Sequence, residues 1–183
     1  MTDPVCSKRS ESFSRPRLRM SALVLVLALV ASGAASAAEK LPVTSAETLS
    51  GQKLEFPTAL AGKPAVCVFG FSKEAGDLSK LWMTQLYEEG ISAWSVANLE
   101  KAPALVRGMI RGSMRKATPA AQLDRSLILT KDHKAWEQAV GSKQESQPVV
   151  VLLDPAGRIL WTFQGPFAGQ PYQQLKARLE AAR

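Results

Sequence analysis

From residue 54 onward the apolar positions change period several times, and each change marks an element. Ala65 to Phe71, AVCVFGF, is apolar almost throughout, as a strand covered on both faces must be. Leu78, Leu81, Trp82 and Leu86 then fall at helical spacing and Gly90 stops them, which predicts a helix over 74–89. Ile91 to Ala97 returns to strand. Pro103 opens a second helix whose buried face is expected to be Leu105, Val106, Met109, Ile110 and Met114, and Pro119 ends it. Ser126 to Thr130 is a short strand. Asp132 is placed to cap a third helix carrying Trp136, Ala139 and Val140, with Gly141 as its stop.

The stretch from Gln147 to Gly165, QPVVVLLDPAGRILWTFQG, contains two apolar strands around an Asp154-Pro155-Ala156-Gly157 turn, so it reads as a hairpin. Pro171 begins a last amphipathic helix with Tyr172, Leu175 and Leu179 on one side. Upstream, Leu54-Glu55-Phe56 is a short edge strand and Gly62-Lys63-Pro64 a turn into the first central strand. Glu39 to Ser50 is polar and expected to be extended or loosely attached. Strands alternating with helices and closing in a hairpin predict an α/β fold whose sheet has an antiparallel edge.

The first 37 residues do not follow this pattern. Arg15, Arg17 and Arg19 precede an apolar run from Ala22 to Val30, and small residues end at Ala35-Ser36-Ala37. That is the layout of a secretory signal; an uncleaved anchor is the alternative, because Ser21 to Ala38 is near the length that spans a bilayer. The expected organisation is a signal or anchor over 1–37, an extended segment over 38–52 and one domain over 53–183. The protein would then be periplasmic or secreted, or anchored to the inner membrane.

Charge and cysteine content narrow the chemistry. The formal charge is +7, but residues 1–37 carry five basic and two acidic side chains, leaving +4 for the rest. That bias is too mild for a nucleic-acid binder. Cys6 lies in the expected signal, so Cys67 is the sole cysteine of the domain and no internal disulfide can form there. Its place inside an apolar strand fits a buried structural thiol, whereas a reactive thiolate needs an electropositive, partly open position. His133 is the only histidine. In the first turn of a helix it is expected to face solvent, and no ligand cluster of the usual spacing surrounds it in sequence. The best binding candidates are Arg107, Arg111 and Arg115, which recur every fourth residue with Lys116 adjoining. They predict a basic stripe opposite the apolar face of the second helix, suited to an acidic partner surface or anionic lipid.

The order of elements resembles the thioredoxin-like superfamily, particularly its peroxiredoxin-like branch with an extra helix and strand before the hairpin. The resemblance implies a three-layer sandwich with a mixed central sheet, closed by a C-terminal hairpin and helix. It also implies a cysteine pair after the first central strand and a cis proline at Pro148. Where the pair would stand the chain reads Ser72-Lys73-Glu74-Ala75, so the slot lacks its redox chemistry, although with Gln147 and Pro148 it is where the superfamily binds extended peptide. Ser72 is placed to cap the following helix. MIRGSMRKATP from Met109, DHKAW from Asp132, and VLLDPAGRILW from Val151 followed by Gly165 are similar to the assembly factors for the membrane sector of the mitochondrial F-type ATP synthase. That thioredoxin-like family also lacks a required cysteine pair. The expected function is therefore an exported, redox-inactive protein that binds a partner near the membrane and aids assembly of a membrane complex, with no catalytic residue, cofactor or metal. The alternatives are a divergent single-cysteine peroxidase or thiol oxidoreductase using Cys67, and a small-molecule binder in the old cleft.

Overall fold

The computed structural model describes residues 41–183; the expected signal or anchor segment lies outside them. Seven strands form one mixed sheet: β1 (Thr44–Thr48), β2 (Lys53–Phe56), β3 (Ala65–Gly70), β4 (Ala93–Asn98), β5 (Ser126–Leu129), β6 (Val149–Leu153) and β7 (Ile159–Gln164). Their spatial order is β2-β1-β5-β4-β3-β6-β7. The β3/β4 and β4/β5 pairs are parallel, and the remaining pairs are antiparallel. Four helices connect or follow the strands: α1 (Lys73–Glu88), α2 (Ala104–Ala117), α3 (His133–Ala139) and α4 (Gly169–Ala181).

Every residue of β3 and β6 is buried, because alternate side chains enter two different cores. Cys67 and Phe69 face Phe56 and Trp136 on one side. Val66 and Val68 face Trp82 and Leu86 of α1, with Tyr172, Leu175 and Leu179 of α4, on the other. Helices thus cover both faces, and the three-layer α/β architecture expected from the sequence is the one observed. The hairpin turn is built as its residues suggest. Asp154 Oδ1 accepts the N–H groups of Ala156 and Arg158, each at 2.8 Å, and Gly157 takes the left-handed conformation (φ 77°) that a turn needs.

Three expectations change. Of the lead-in expected over 39–50, the described residues 41–50 are not loose: β1 lies inside the sheet between β2 and β5, so the sheet begins before residue 53. Ala46 and Thr48 are its buried positions, flanked by Leu41 and Leu49; a strand with one alanine and one threonine facing inward carries no apolar alternation to read. Asp132 does not cap α3 with its side chain. It adopts the left-handed region (φ 59°), and the carboxylate of Glu100 accepts the His133 N–H at 2.5 Å instead. The only cis peptide among the described residues precedes Pro57, not Pro148.

The second helix also departs from expectation: α2 buries no residue at all. Its packed side is half-buried and consists of Val106, Ile110 and Met114 together with Arg107 and Arg111. Leu105 and Met109, expected in the core, are 97% and 73% exposed. The helix is docked through polar contacts, and its apolar side chains are split between two faces.

Candidate functional site

The parallel strands β3, β4 and β5 end at the same edge of the sheet, where β6 begins, since Phe69 pairs with Val96 and Val149 while Asn98 pairs with Leu129. That edge holds the segments on which function was expected. β3 leads through buried Phe71 into α1 by way of Ser72, whose hydroxyl accepts the Ala75 N–H at 3.1 Å, so its helix-capping role is observed. The turn is tight: a side chain at Gly70 would place its Cβ 3.3 Å from the Gly76 backbone nitrogen. Lys73 and Glu74 point to solvent and Ala75 is buried; Lys73 pairs with Asp77 at 3.2 Å. The first turn holds Glu74 ionised, its carboxyl lowered by a hydrogen bond from its own backbone N–H and by Ser72. Pro148 is buried across the edge, and its carbonyl accepts the Gly165 N–H at 3.0 Å. The slot is an ordinary capped helix start with no thiol at either end.

Cys67 stands in the middle of β3, between Trp94 of β4 and Val151 of β6, and is fully buried. Burial pushes its thiol far above the ordinary range, because desolvation penalises the thiolate. In a Cys6→Ser chain we expect no reaction with an aromatic disulfide reagent under native conditions and one equivalent after guanidinium unfolding. Fast native labelling would place Cys67 in an open site and restore the peroxidase alternative.

The arginine stripe is divided by the fold. Arg107 donates to the carbonyls of Ala102 at 2.8 Å and Glu100 at 2.7 Å. Arg111 pairs with Glu47 and donates to the Thr48 carbonyl at 3.1 Å, fastening α2 to β1. The pair holds the Glu47 carboxyl below, and the Arg111 guanidinium above, its usual range, in each case chiefly through the shared hydrogen bond. Both arginines therefore face inward, on the packed side instead of opposite it. Only Arg115 and Lys116 remain exposed. The outward side of α2 carries Leu105, Gly108, Met109 and Gly112, which helical spacing places on one face. Open space lies where a Cβ of Gly108 or Gly112 would be, so nothing in the described residues requires glycine there, although each costs a helix about 1 kcal/mol relative to alanine.

His133, expected at the surface, is only 3% exposed. It packs edge-on against Phe71, centroids 5.4 Å apart, while the Glu100 carboxylate anchors its backbone. Its Nε2 lies 3.3 Å from Glu137 Oε1 and 3.9 Å from Glu145 Oε2. Lys101 pairs with the other Glu145 oxygen and, through that hydrogen bond, holds the carboxyl below its usual range despite some desolvation. The sequence shows no ligand cluster of the usual spacing, yet the fold gathers one from α3 and the segment before β6. The i, i+4 spacing of His133 and Glu137 was the available signal; Glu145 had none. Asn98 Nδ2 and Gln147 Oε1 are buried at the same edge without a hydrogen-bond partner among the described residues.

No protein-family model matches the chain, and no curated protein sequence does so. Solved structures do. The chain is similar to BsSco, a member of the Sco family of cytochrome c oxidase assembly proteins, at 14% identity and a TM-score of 0.56, covering 80% of this chain and 94% of that one. It is similar to a thio-disulfide isomerase from Thermus thermophilus at 21% identity and a TM-score of 0.51, covering 80% and 97%. A third similar structure is a putative thiol:disulfide interchange protein DsbE from Chlorobium tepidum, at 16% identity and 0.51, covering 79% and 96%. The fold is thioredoxin-like; at these identities the likeness extends to fold alone.

Proposed function

We propose that this chain is an exported, redox-inactive thioredoxin-like protein that binds a protein partner near the membrane and aids assembly of a membrane complex. The observation that carries the reading is the turn from β3 into α1. Its residues, Ser72 to Gly76, include no cysteine, and the domain's one thiol is sealed inside the sheet. A thioredoxin-like scaffold without exchangeable thiols retains its surfaces as its means of action.

The surface best suited to a partner is the outward side of α2. Exposed Leu105 and Met109 supply apolar area, Gly108 and Gly112 permit close approach of another backbone, and Arg115 and Lys116 add positive charge at one end. A helix with an apolar stripe and acidic residues at one end would fit it. Two resemblances favour an assembly role: BsSco belongs to a family of cytochrome c oxidase assembly proteins, and the motifs at Met109, Asp132 and Val151 are similar to the ATP synthase assembly-factor family. For the export part, no described helix is long and apolar enough to cross a membrane, which leaves membrane proximity to the N-terminal segment or to the partner.

The test is crosslinked affinity capture of the full-length protein from its own detergent-solubilised membranes, compared with a Leu105→Asp, Met109→Asp variant. Removing Arg107 and Arg111 would loosen α2 itself, so they are poor controls. Both substituted positions are surface sites, and melting is expected to stay near that of the parent. Enrichment of one membrane complex, weakened at least about tenfold in the variant as befits loss of central apolar contacts, supports the proposal. Equal recovery by the variant removes the α2 surface from it, and failure to enrich any complex overturns it.

A further inference from the structure

We infer that His133, Glu137 and Glu145 form a binding site for a single divalent transition-metal ion, zinc being the best match. Two independent observations meet here. Ligand atoms of the three side chains all lie within 4.8 Å of one another. Separately, His133 is 97% buried by side-chain area, and neither of its ring nitrogens has a hydrogen-bond partner among the described residues. A buried imidazole without partners is costly, and the large majority of buried side-chain polar atoms are satisfied in folded proteins. Its Nε2 nevertheless lies beside both carboxylates, near enough to share an ion with them and hydrogen-bonded to neither.

The spacing matches shared coordination. With zinc to nitrogen at about 2.0–2.1 Å and zinc to oxygen at about 2.0–2.2 Å, two ligands of a tetrahedral ion stand about 3.4 Å apart. The observed Nε2 to Glu137 separation is 3.3 Å, and that to Glu145 is 3.9 Å. One imidazole and two carboxylates, with no thiolate, suit zinc, nickel, cobalt or manganese over copper(I). Two carboxylates also neutralise a divalent ion. Lys101 holds the other oxygen of Glu145, and Glu100 fixes the helix start from which His133 projects. Three protein ligands leave a fourth position open, and Glu145, 44% exposed, is the most accessible of the three. The site does not depend on the partner-binding reading and stands or falls separately.

Because His133 is the only histidine, its imidazole signals in a nitrogen-15 NMR spectrum of the untagged full-length chain report on this site alone. Titration with zinc chloride near pH 7.5 is expected to shift them with a one-to-one endpoint, and cobalt(II) to give a tetrahedral absorption band that zinc abolishes. A Glu137→Gln, Glu145→Gln variant, altering partly exposed side chains so that folding is preserved, should bind zinc at least about tenfold more weakly, no less than losing an outer-sphere partner costs. Its unchanged melting profile without metal would separate lost ligands from lost fold. An imidazole unmoved by millimolar zinc overturns the inference, as does binding that persists at parental affinity in the variant. A protonated ring held between two carboxylates would give the first of those results.

Discussion

Trp136→Ala is expected to destabilise the domain by about 3–5 kcal/mol, the usual cost of removing a large aromatic from a closed core. Trp136 has no exposed surface, and its ring centroid lies 5.3 Å from Phe56 and 5.8 Å from Phe69. It is the main apolar anchor of a helix of only seven residues, too short to persist without packing. The loss approaches the whole stability of many domains, about 5–15 kcal/mol. Urea unfolding followed by circular dichroism measures it. Trp136→Phe is the informative contrast. The indole N–H is buried without an acceptor among the described residues, so phenylalanine keeps much of the packing and removes an unsatisfied donor; its cost should be well under half that of alanine. If both substitutions cost the same, ring packing is not what holds α3. Weakened zinc binding in Trp136→Ala would follow, because the helix that presents His133 and Glu137 would no longer be held.

Asp154→Ala should cost about 2–3 kcal/mol, because one carboxylate organises the hairpin turn and hydrogen bonds to charged groups are the stronger ones. Besides the two backbone N–H groups, Asp154 Oδ2 accepts Arg158 Nε at 2.6 Å. The hairpin tip is tied to the turn before β3, since the Gly62 N–H donates to the Pro155 carbonyl at 2.9 Å. Disorder here therefore reaches a central strand. Burial works against ionisation of Asp154, but the Arg158 and Ala156 hydrogen bonds outweigh it and hold its carboxyl below the usual range. The folded pKa is thus lower than the unfolded value of about 3.9. Its contribution is fully present above that value and is lost as pH falls through the folded pKa. Parent and variant should differ at pH 7 and converge toward pH 2 when their denaturation midpoints are compared. A gap that stays constant over this range would show that the carboxylate charge is not what matters.

The docking of α2 illustrates how a regular charge repeat misleads. Arg107, Arg111 and Arg115 are spaced identically, yet two of them satisfy backbone carbonyls or Glu47 and the third is exposed. Helical spacing puts residues on a common face but does not say whether that face is turned in or out. An apolar stripe normally settles the question; here the apolar residues are divided, with Val106 and Ile110 on the packed side and Leu105 and Met109 outside. The inward arginines are answered by Glu47, 64 positions away, and by the loop after β4.

What the sequence by itself determined was everything carried by short-range period and turn chemistry. The buried strands β3 and β6, the helices α1, α3 and α4, the Asp154 turn, the Ser72 cap and the missing cysteine pair are all legible within windows of a few residues, because burial on two faces, helical amphipathicity and φ > 0 turns impose local patterns. Tertiary structure decided the interior position of the polar strand β1, the inward turn of Arg107 and Arg111, and the burial of His133 beside Glu137 and Glu145. In each of these, polar groups are satisfied by partners from other segments, and such satisfaction has no period along the chain. A buried polar residue becomes legible only when its partner has been brought to it.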